Sequence, residues 1–366
     1  MIELQAKENK KDKTDKTDKT DKIDKTREDN IVTSKEFAEI IGVSQSTISR
    51  ALNNSNQISA ERREFIKKKA EEYSFVLNSQ ARSLKTNRTG TVGILFPKHF
   101  VGMSANLGLA YLYDLVQKEL SKYDYDVMVV YEGEKKNGLS TFERMIKIGK
   151  VDGFIIFRME SSKKDMDLIK KYNVPCVYLL HAEKGGSYGS CLSDCEYSGY
   201  LVGKHYGKYK DYKSKYLNVK TSGESKTRLA GFKRGLKECG IDLDNESILQ
   251  SELSVESAYE CIITNQEMIK SSKCAIFAFN DIVAIGVLKA CRDLGLKVPE
   301  DVQIAGVGGI PICLEIVPEL TTVDVFHEKI ASMGCEMLRS VINNGTQEPI
   351  HTVIRPELVL RRTTLL

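Results

Sequence analysis

The stretch VTSKEFAEIIGVSQSTISRALN, residues 32–53, contains two short helical patterns separated by a glycine. Thr33 and Glu36 have the spacing of a capping box, in which each side chain accepts a hydrogen bond from the other residue's backbone. Apolar residues follow at helical spacing, at Phe37, Ile40 and Ile41. Gly42 predicts a sharp turn, and Ser44 is placed to cap a second helix. Two short helices joined by a tight turn predict a helix-turn-helix unit.

The second helix has one apolar and one polar face. Its apolar residues, which are predicted to be buried, are Ile48, Ala51 and Leu52. A helix-turn-helix unit places the start of its second helix in the major groove of DNA. Gln45, Ser46 and Arg50 are therefore predicted to read base edges, because arginine and amide side chains match guanine and adenine. The residues expected to contact phosphates or support the turn are Thr47, Ser49 and Asn53. A plain solvent-exposed face is the alternative.

The net positive charge of the chain lies in the segment that contains these helices. The 366-residue chain has a formal net charge of +4. Residues 30–89 hold ten basic and six acidic residues, whereas residues 1–29 hold nine of each. A localised basic module favours binding to a polyanion. Residues 12–26 repeat DKT almost strictly, which predicts a disordered, charge-balanced tail over residues 1–29, interpreted as a spacer rather than a DNA-contacting arm.

From residue 91 onward, short apolar runs alternate with charged segments of helical length. The runs are TVGILF, DVMVVY, GFIIF, PCVYLL, KYLNV, AIFAF and VQIAGV. Apolar strands that alternate with helices predict parallel sheets covered on both faces, and the units suffice for two sheets. A crevice between two such lobes favours a small ligand. The predicted fold is therefore an all-α helix-turn-helix head followed by a two-lobed α/β domain.

The N-terminal segment resembles the DNA-binding head of the lactose-repressor/purine-repressor family. The resemblance is carried by GVSQSTISRALN at residues 42–53, by the Ile-Ser pair that starts the third helix, and by NSQARSLK at residues 78–85. It implies that Gln45, Ser46 and Arg50 occupy the base-reading positions.

The same resemblance implies that ARSLK, residues 81–85, is a hinge helix in the minor groove. Leu84 falls on the position of an apolar wedge, flanked by Arg82 and Lys85. An apolar wedge that unstacks a base step while cations hold the phosphates suits this composition. The alternative is that Leu84 is a linker residue packed on the next domain.

The C-terminal part resembles the family's effector domain, which has the periplasmic-binding-protein-like fold. The matching motifs are RLAGFKRGL from Arg228, FAFNDIVAIGVLKACRDLGLKVPEDVQIAGV from Phe277, PELTTV from Pro318 and RPELVLRRTT from Arg355. The expected domains are a tail over residues 1–29, a DNA-binding domain over 30–77, a hinge over 78–89 and an effector-binding, dimerising domain over 90–366. The expected lobes are about 90–192 with 321–342, and about 193–320 with 343–366. The family's mode of assembly implies a homodimer on a pseudo-palindromic operator in double-stranded DNA, with a larger assembly left open.

The cleft combines family-like and unusual residues. The resemblance implies that Arg228 and Asn280 bind the effector, and both are suitable polar anchors. A purely structural salt bridge is the alternative for Arg228. Where the family has an acid, this chain has Gly308 and Gly309 in GVGGIP. The change is expected to leave room and to remove a charge-assisted hydrogen bond worth roughly 1.5–3 kcal/mol, which argues against a simple sugar effector.

Other classes of protein receive no support from the sequence. An apolar run of about 18 residues and an apolar signal-peptide core are both lacking, which predicts a cytoplasmic protein without a membrane span. The nine cysteines form no C-x-x-C and the histidines are scattered, so neither a metal nor a cofactor is expected. The residues offer no nucleophile–base pair or phosphate loop, so an enzyme is not expected.

The leading hypothesis is a DNA-binding transcriptional regulator, most simply a repressor, whose operator affinity is set by a small-molecule effector. A cytoplasmic small-molecule binding protein with a vestigial head is one alternative. A regulator whose effector binding has been lost, or replaced by a protein partner, is another.

Overall fold

The computed structural model describes residues 32–52, 55–75, 88–96, 102, 106–131, 135–157, 163–181, 188–219, 223–345 and 348–366. The chain divides into two compact units between Arg88 and Thr89. Within the described residues, no helix is both long enough and apolar enough to cross a membrane.

The first unit is a three-helix head. Its helices are α1 Ser34–Ile41, α2 Gln45–Leu52 and α3 Ala60–Glu72. The predicted capping box is present at the start of α1, where Thr33 N–H donates to Glu36 Oε2 at 2.9 Å and Glu36 N–H donates to Thr33 Oγ1 at 3.3 Å. Ser59 caps α3 by accepting from the Arg62 N–H. Local capping therefore fixes where these helices begin.

The head closes around a small aromatic core. Phe37 of α1 stacks on Phe75 beyond α3, with ring centroids 4.1 Å apart. Ala38, Ile48 and Ala70 pack in the same cluster, and Ala51 and Ile66 of the head are also buried. Ile40 belongs to the predicted apolar stripe, and 38% of its surface is exposed. α1 turns its Phe37–Ala38 edge inward, and this leaves Ile40 at the rim.

The second unit contains twelve strands among its described residues. They are β1 Thr91–Leu95, β2 Asp126–Val130, β3 Gly153–Ile156, β4 Cys176–Leu179, β5 Gly189–Ser193, β6 Lys213–Val219, β7 Ile248–Ser251, β8 Cys274–Ala278, β9 Val302–Gly308, β10 Thr321–Asp324, β11 His351–Ile354 and β12 Glu357–Val359. One sheet has the order β11-β5-β4-β3-β1-β2, and the other has the order β12-β10-β9-β8-β6-β7. All pairings are parallel except that of β12 with β10. We call the two sheets, each with its packed helices, lobe one and lobe two.

Helices cover both sheets, as continuous apolar strands require. They are α4 Leu107–Ser121, α5 Thr141–Lys147, α6 Lys163–Lys171, α7 Cys195–Tyr206, α8 Gly223–Lys237, α9 Val255–Thr264, α10 Gln266–Lys270, α11 Asp281–Asp293, α12 Ile312–Glu315 and α13 His327–Asn344. α13 packs on α4 and on β4 of lobe one, whereas α7 packs on α8 in lobe two. Backbones approach so closely there that a Cβ on Gly231 would lie 1.8 Å from the Glu196 carbonyl oxygen.

The lobe boundaries expected from the sequence need correction. Thr321–Asp324 was expected in lobe one, but it pairs with β9 in the sheet of lobe two. His351–Ile354 was expected in lobe two, but it pairs with β5 in the sheet of lobe one. The chain crosses between the lobes after Ser193, after Asp324 and after Ile354. Apolar periodicity shows that a segment is a strand but not which of two sheets it joins.

Candidate nucleic-acid interface and interlobe site

The turn between α1 and α2 sets the direction of α2. Gly42 has the left-handed φ of 68°, which glycine adopts at little cost, and its N–H donates to the Ala38 carbonyl. The Ser44 hydroxyl accepts from the Thr47 N–H at 3.2 Å and lies 2.8 Å from both the Ser46 and Thr47 hydroxyls. Ser44 therefore caps α2, as predicted.

α2 presents a polar face opposite its buried side. Ile48 and Ala51 have no exposed surface. Three of the predicted DNA-contacting residues are exposed, namely Gln45, Ser46 and Arg50. Thr47 and Ser49 are half-buried, and the Thr47 hydroxyl is already engaged by Ser44. Apolar packing therefore fixes one face of α2, while amide, hydroxyl and guanidinium groups on the opposite face are exposed.

The loop that follows α2 is tied down by a residue that the sequence did not single out. Arg63 of α3 donates from Nη2 to the carbonyls of Ser55 at 3.0 Å and Ile58 at 3.4 Å. These bonds fix α3 against the end of α2. An arginine within a charged helix gives no sequence signal for such a contact.

In the second unit, Arg228 of α8 is buried, with 7% of its surface exposed. Its Nη1 donates to the Phe279 carbonyl at the end of β8, and its guanidinium lies 4.5 Å from the Phe279 ring centroid. Nε of Arg228 has no hydrogen-bond partner among the described residues. A buried cation with an unused donor is suited to an acceptor that comes from outside the chain.

One turn before Arg228, Glu224 forms a pair with a residue of lobe one. Its Oε1 lies 2.9 Å from Nδ1 of His181, which follows β4. Burial alone would raise the pKa of Glu224, but the hydrogen bond and charge of His181 lower it below the ordinary value. The pair therefore joins the carboxyl end of β4 to the start of α8.

Asn280 follows β8, as the sequence predicted. It is half-buried, and its Oδ1 accepts from the Val283 N–H at 3.0 Å. Asn280 is thus the N-cap of α11. Its carbonyl oxygen is occupied by the helix, which leaves its amide nitrogen as the group suited to a ligand.

Comparison with known proteins agrees with both halves of this description. Residues 33–78 match the model of bacterial regulatory proteins of the lacI family, and residues 216–364 match that of the periplasmic binding protein-like domain. The HTH-type transcriptional regulator MalR of Clostridium butyricum is 30% identical over 345 residues, covering 89% of this chain and 97% of MalR. The chain belongs to the lacI family of bacterial regulatory proteins.

Two further lacI-family similarities extend along almost the whole chain. The HTH-type transcriptional repressor PurR of Vibrio vulnificus (strain CMCP6) is 26% identical over 338 residues, covering 91% of this chain and 98% of PurR. The lac repressor dimer bound to operator and the anti-inducer ONPF has the same fold, with a TM-score of 0.72 and 20% identity. That similarity covers 92% of this chain and all of the lac repressor chain.

The glycine pair in this lacI-family chain does not leave the room that the sequence suggested. A Cβ on Gly308 would lie 2.7 Å from Asp281 Oδ2, and a Cβ on Gly309 would lie 2.9 Å from the Asp324 carboxyl carbon. Asp281 is buried, accepts from the Thr322 hydroxyl and from the Ile310 N–H, and has a pKa raised by that burial. Carboxylates from neighbouring elements therefore fill the space. The expectation of extra room is wrong.

Four predicted DNA contacts of the lacI-family head and hinge lie outside the described residues. They are Asn53, Arg82, Leu84 and Lys85.

An aromatic cluster in lobe one was not predicted from the sequence. Phe96, Tyr131 and Phe157 directly follow β1, β2 and β3. The Phe96 ring centroid is 5.6 Å from that of Tyr131 and 5.2 Å from that of Phe157. Carboxyl ends of parallel strands meet at one edge of a sheet, where such folds bind ligands. A signal was available, because three consecutive strand runs each end in an aromatic residue.

Proposed function

We propose that this protein is a sequence-specific, operator-binding transcriptional regulator of the repressor type. It acts in the cytoplasm as a homodimer whose DNA affinity is set by a small-molecule effector between the lobes. The observation that carries the proposal is α2, whose Gln45, Ser46 and Arg50 are exposed while Ile48 and Ala51 are fully buried behind them. That arrangement lies within the residues that match the lacI family model.

In this proposal Arg50 and Gln45 read base edges in the major groove. A guanidinium can donate two parallel hydrogen bonds to guanine O6 and N7, and a glutamine amide can pair with adenine. The capped turn at Ser44 and the Arg63 contacts hold α2 in one orientation, so its side chains reach the groove without a further ordering cost. Arg82, Leu84 and Lys85 would add minor-groove contacts from the hinge.

The effector is proposed to carry a hydrogen-bond acceptor or an anionic group that faces Arg228. Its buried Nε lacks a partner among the described residues, and an acceptor there would satisfy it. The amide nitrogen of Asn280 is a second anchor. Since Asp281 and Asp324 are committed to the chain around Gly308 and Gly309, we do not assign them to effector hydroxyls. A simple sugar held by an acid at this position is therefore not the proposed effector.

Effector binding would change operator affinity through the arrangement of the two lobes, which three crossovers of the chain connect. An effector that prefers one arrangement of the lobes shifts the population toward it. In a dimer, a change in the lobe angle alters the spacing of the two heads and so their fit to two half-sites.

Selection of bound duplexes from a random DNA pool tests the proposal. The expected result is enrichment of a pseudo-palindrome by the full chain. Failure to enrich any sequence would favour the small-molecule binding protein with a vestigial head. Sedimentation of the DNA-free chain reports the homodimer in the same preparation.

A thermal-shift screen with sugars, nucleobases and sugar phosphates tests the effector. A ligand that binds the folded state alone raises the unfolding temperature in proportion to its occupancy. Arg228→Lys should lose the shift that the wild type shows, because lysine cannot supply the guanidinium fork. The absence of any shift in the wild type would favour a regulator that has lost its effector or replaced it by a protein partner.

A further inference from the structure

Two of the three crossovers between the lobes lie side by side. The first follows Ser193 at the end of β5, and the third follows Ile354 at the end of β11. The Ile354 carbonyl accepts from the Asp194 N–H at 3.0 Å and from the Ser193 hydroxyl at 3.3 Å. Because β5 and β11 are neighbouring parallel strands of lobe one, both crossovers leave that lobe at the same point.

A side chain joins these two crossovers just beyond that point. Arg355, the first residue after β11, donates from Nη2 to the Tyr197 hydroxyl at 2.7 Å. Its guanidinium carbon lies 4.2 Å from the centroid of the Tyr197 ring. Tyr197 is in the first turn of α7, the helix of lobe two that follows the first crossover. The Arg355 side chain therefore links the third crossover to a helix of lobe two.

The Tyr197 side of this contact is fixed to lobe two. Asp194 caps α7 by accepting from the Tyr197 N–H at 2.8 Å. The Tyr197 ring stacks on Tyr200 of the same helix, with centroids 5.6 Å apart. Arg234 of α8 lies over Tyr200, and its guanidinium carbon is 4.5 Å from that ring centroid. Tyr197 therefore moves with the helices of lobe two.

The backbone at Arg355 has little freedom. The next residue, Pro356, is buried and disfavours a helical conformation at Arg355. The preceding residue, Ile354, is bound to the first crossover through its carbonyl. Arg355 directly follows a strand of lobe one, whereas Tyr197 moves with lobe two. A rotation of one lobe against the other therefore strains the contact between them.

We propose that Arg355 is a hinge brace: its contact with Tyr197 restrains rotation of the lobes at the paired crossovers and favours the arrangement in which His181 and Glu224 meet.

The exposure of the contact sets the size of the effect. An exposed guanidinium over an aromatic ring changes an equilibrium by about two- to fivefold. Because the brace is broken when the lobes rotate apart, its removal should raise the population of separated lobes by that factor. The effect of the brace on operator affinity rests on the proposed function, but its effect on the lobes does not.

The His181–Glu224 pair provides a readout far from the brace along the chain. The His181 side chain is 14% exposed while it contacts Glu224, and it becomes accessible when the lobes separate. Diethyl pyrocarbonate modifies accessible histidines, and mass spectrometry measures the rate at each one. The experiment uses the full chain at neutral pH, without DNA or effector. In Arg355→Ala, His181 should be modified about two- to fivefold faster than in the wild type.

Arg234→Ala is the matched control. It removes a guanidinium from the other tyrosine of the same stack, but Arg234 and Tyr200 both belong to lobe two. His181 should therefore be modified at the wild-type rate in this variant. His205, which is 3% exposed within lobe two, reports unfolding of that lobe and should keep its wild-type rate throughout. An unchanged His181 rate in Arg355→Ala, or an equal increase in Arg234→Ala, would overturn the brace.

Tyr197→Phe covers the case in which Arg355→Ala unfolds and His205 is modified faster as well. Phenylalanine keeps the ring and removes only the hydroxyl that accepts from Arg355. His181 should be modified faster in Tyr197→Phe than in the wild type, and an unchanged rate would overturn the brace.

The double variant assigns the effect to this one contact. Where Arg355→Ala folds, adding Tyr197→Phe should cause no further increase at His181, because both changes remove the same contact. Strictly additive increases would overturn the brace. A chain that enriches no operator would contradict the proposed function and leave these rates unchanged.

Discussion

His181 Nδ1 and Glu224 Oε1 lie 2.9 Å apart, and they belong to different lobes. The histidine follows β4 and the glutamate opens α8, one turn before the buried Arg228. Their side chains are 14% and 28% exposed, so water screens the pair only in part. This pair therefore joins the carboxyl end of β4 in lobe one to the first turn of α8 in lobe two.

Glu224→Gln should lower the free energy of unfolding by about 1 kcal/mol at pH 7, because it removes the charge while keeping the shape. The pKa of Glu224 is lowered in the folded chain, so its contribution is present above the ordinary value of 4.5 and is lost as the pH falls through the folded value. Urea unfolding at pH 7 measures this loss of stability, and urea unfolding at pH 3.5 shows whether the contribution of Glu224 has been lost. Glu196→Gln is the control, since its pair with Arg234 is about half exposed and should contribute less. Equal losses in the two variants would contradict the interlobe role.

Arg50→Ala should cost about 1–3 kcal/mol at one base position of the selected operator and little elsewhere, because a bidentate contact discriminates a single base pair. Binding to a panel of single-base operator variants measures the pattern. Lys68→Ala is a matched control, since it removes one exposed positive charge from α3 of the same head. It should weaken all sequences equally. A uniform loss in Arg50→Ala as well would argue that Arg50 contacts phosphate.

Local signals predicted the head better than they predicted the lobes. The Thr33–Glu36 box, the Gly42 turn and the Ser44 cap are all formed within a few residues of sequence, and each was visible as a pattern. The apolar stripe of α1 was predicted, but helical spacing does not show that Ile40 lies at the edge of the stripe and is partly exposed. The exchange of β10 and β11 between the sheets was missed because both are short strands beside crossovers.

In the interlobe site, too, local features were predicted from the sequence and contacts between distant residues were not. Motifs in the sequence predicted that Arg228 and Asn280 lie in the cleft. The sequence did not predict that Arg228 contacts Phe279 or that Gly308 lies against Asp281, because each pair is far apart along the chain. From the sequence alone, a glycine in place of an acid predicts empty space in the cleft. Whether that space is filled depends on side chains that arrive from other strands.

His205→Gln should flatten the acid dependence of stability. Burial and Lys208 lower the pKa of His205 to about 4, so the neutral ring contributes fully above pH 6.5 and the contribution is lost as the pH falls toward 4. As the pH falls from 6.5 toward 4, the free energy of unfolding of the wild type should fall by roughly 3 kcal/mol more than that of the variant. Urea unfolding at intervals between pH 7 and pH 4 measures the slopes. Identical slopes in wild type and His205→Gln would contradict the effect of burial.

Gly308→Ala should destabilise the chain by about 3 kcal/mol, since it combines a left-handed φ of 144° with a Cβ only 2.7 Å from Asp281 Oδ2. Gly295→Ala is the control for backbone strain alone. Its φ is 69°, nothing lies within 4 Å of its Cβ position, and its cost should be about 1 kcal/mol. Urea unfolding measures both.

A double-mutant cycle with Asp281→Ala separates the two causes of that cost. If the carboxylate fills the space beside Gly308, the alanine at 308 should cost about 1–2 kcal/mol less once Asp281 is removed. Asp281→Ala alone is itself destabilising, because it leaves the Thr322 hydroxyl and the Ile310 N–H without their acceptor. Strictly additive effects would show that backbone conformation, rather than the Asp281 carboxylate, requires glycine at this position.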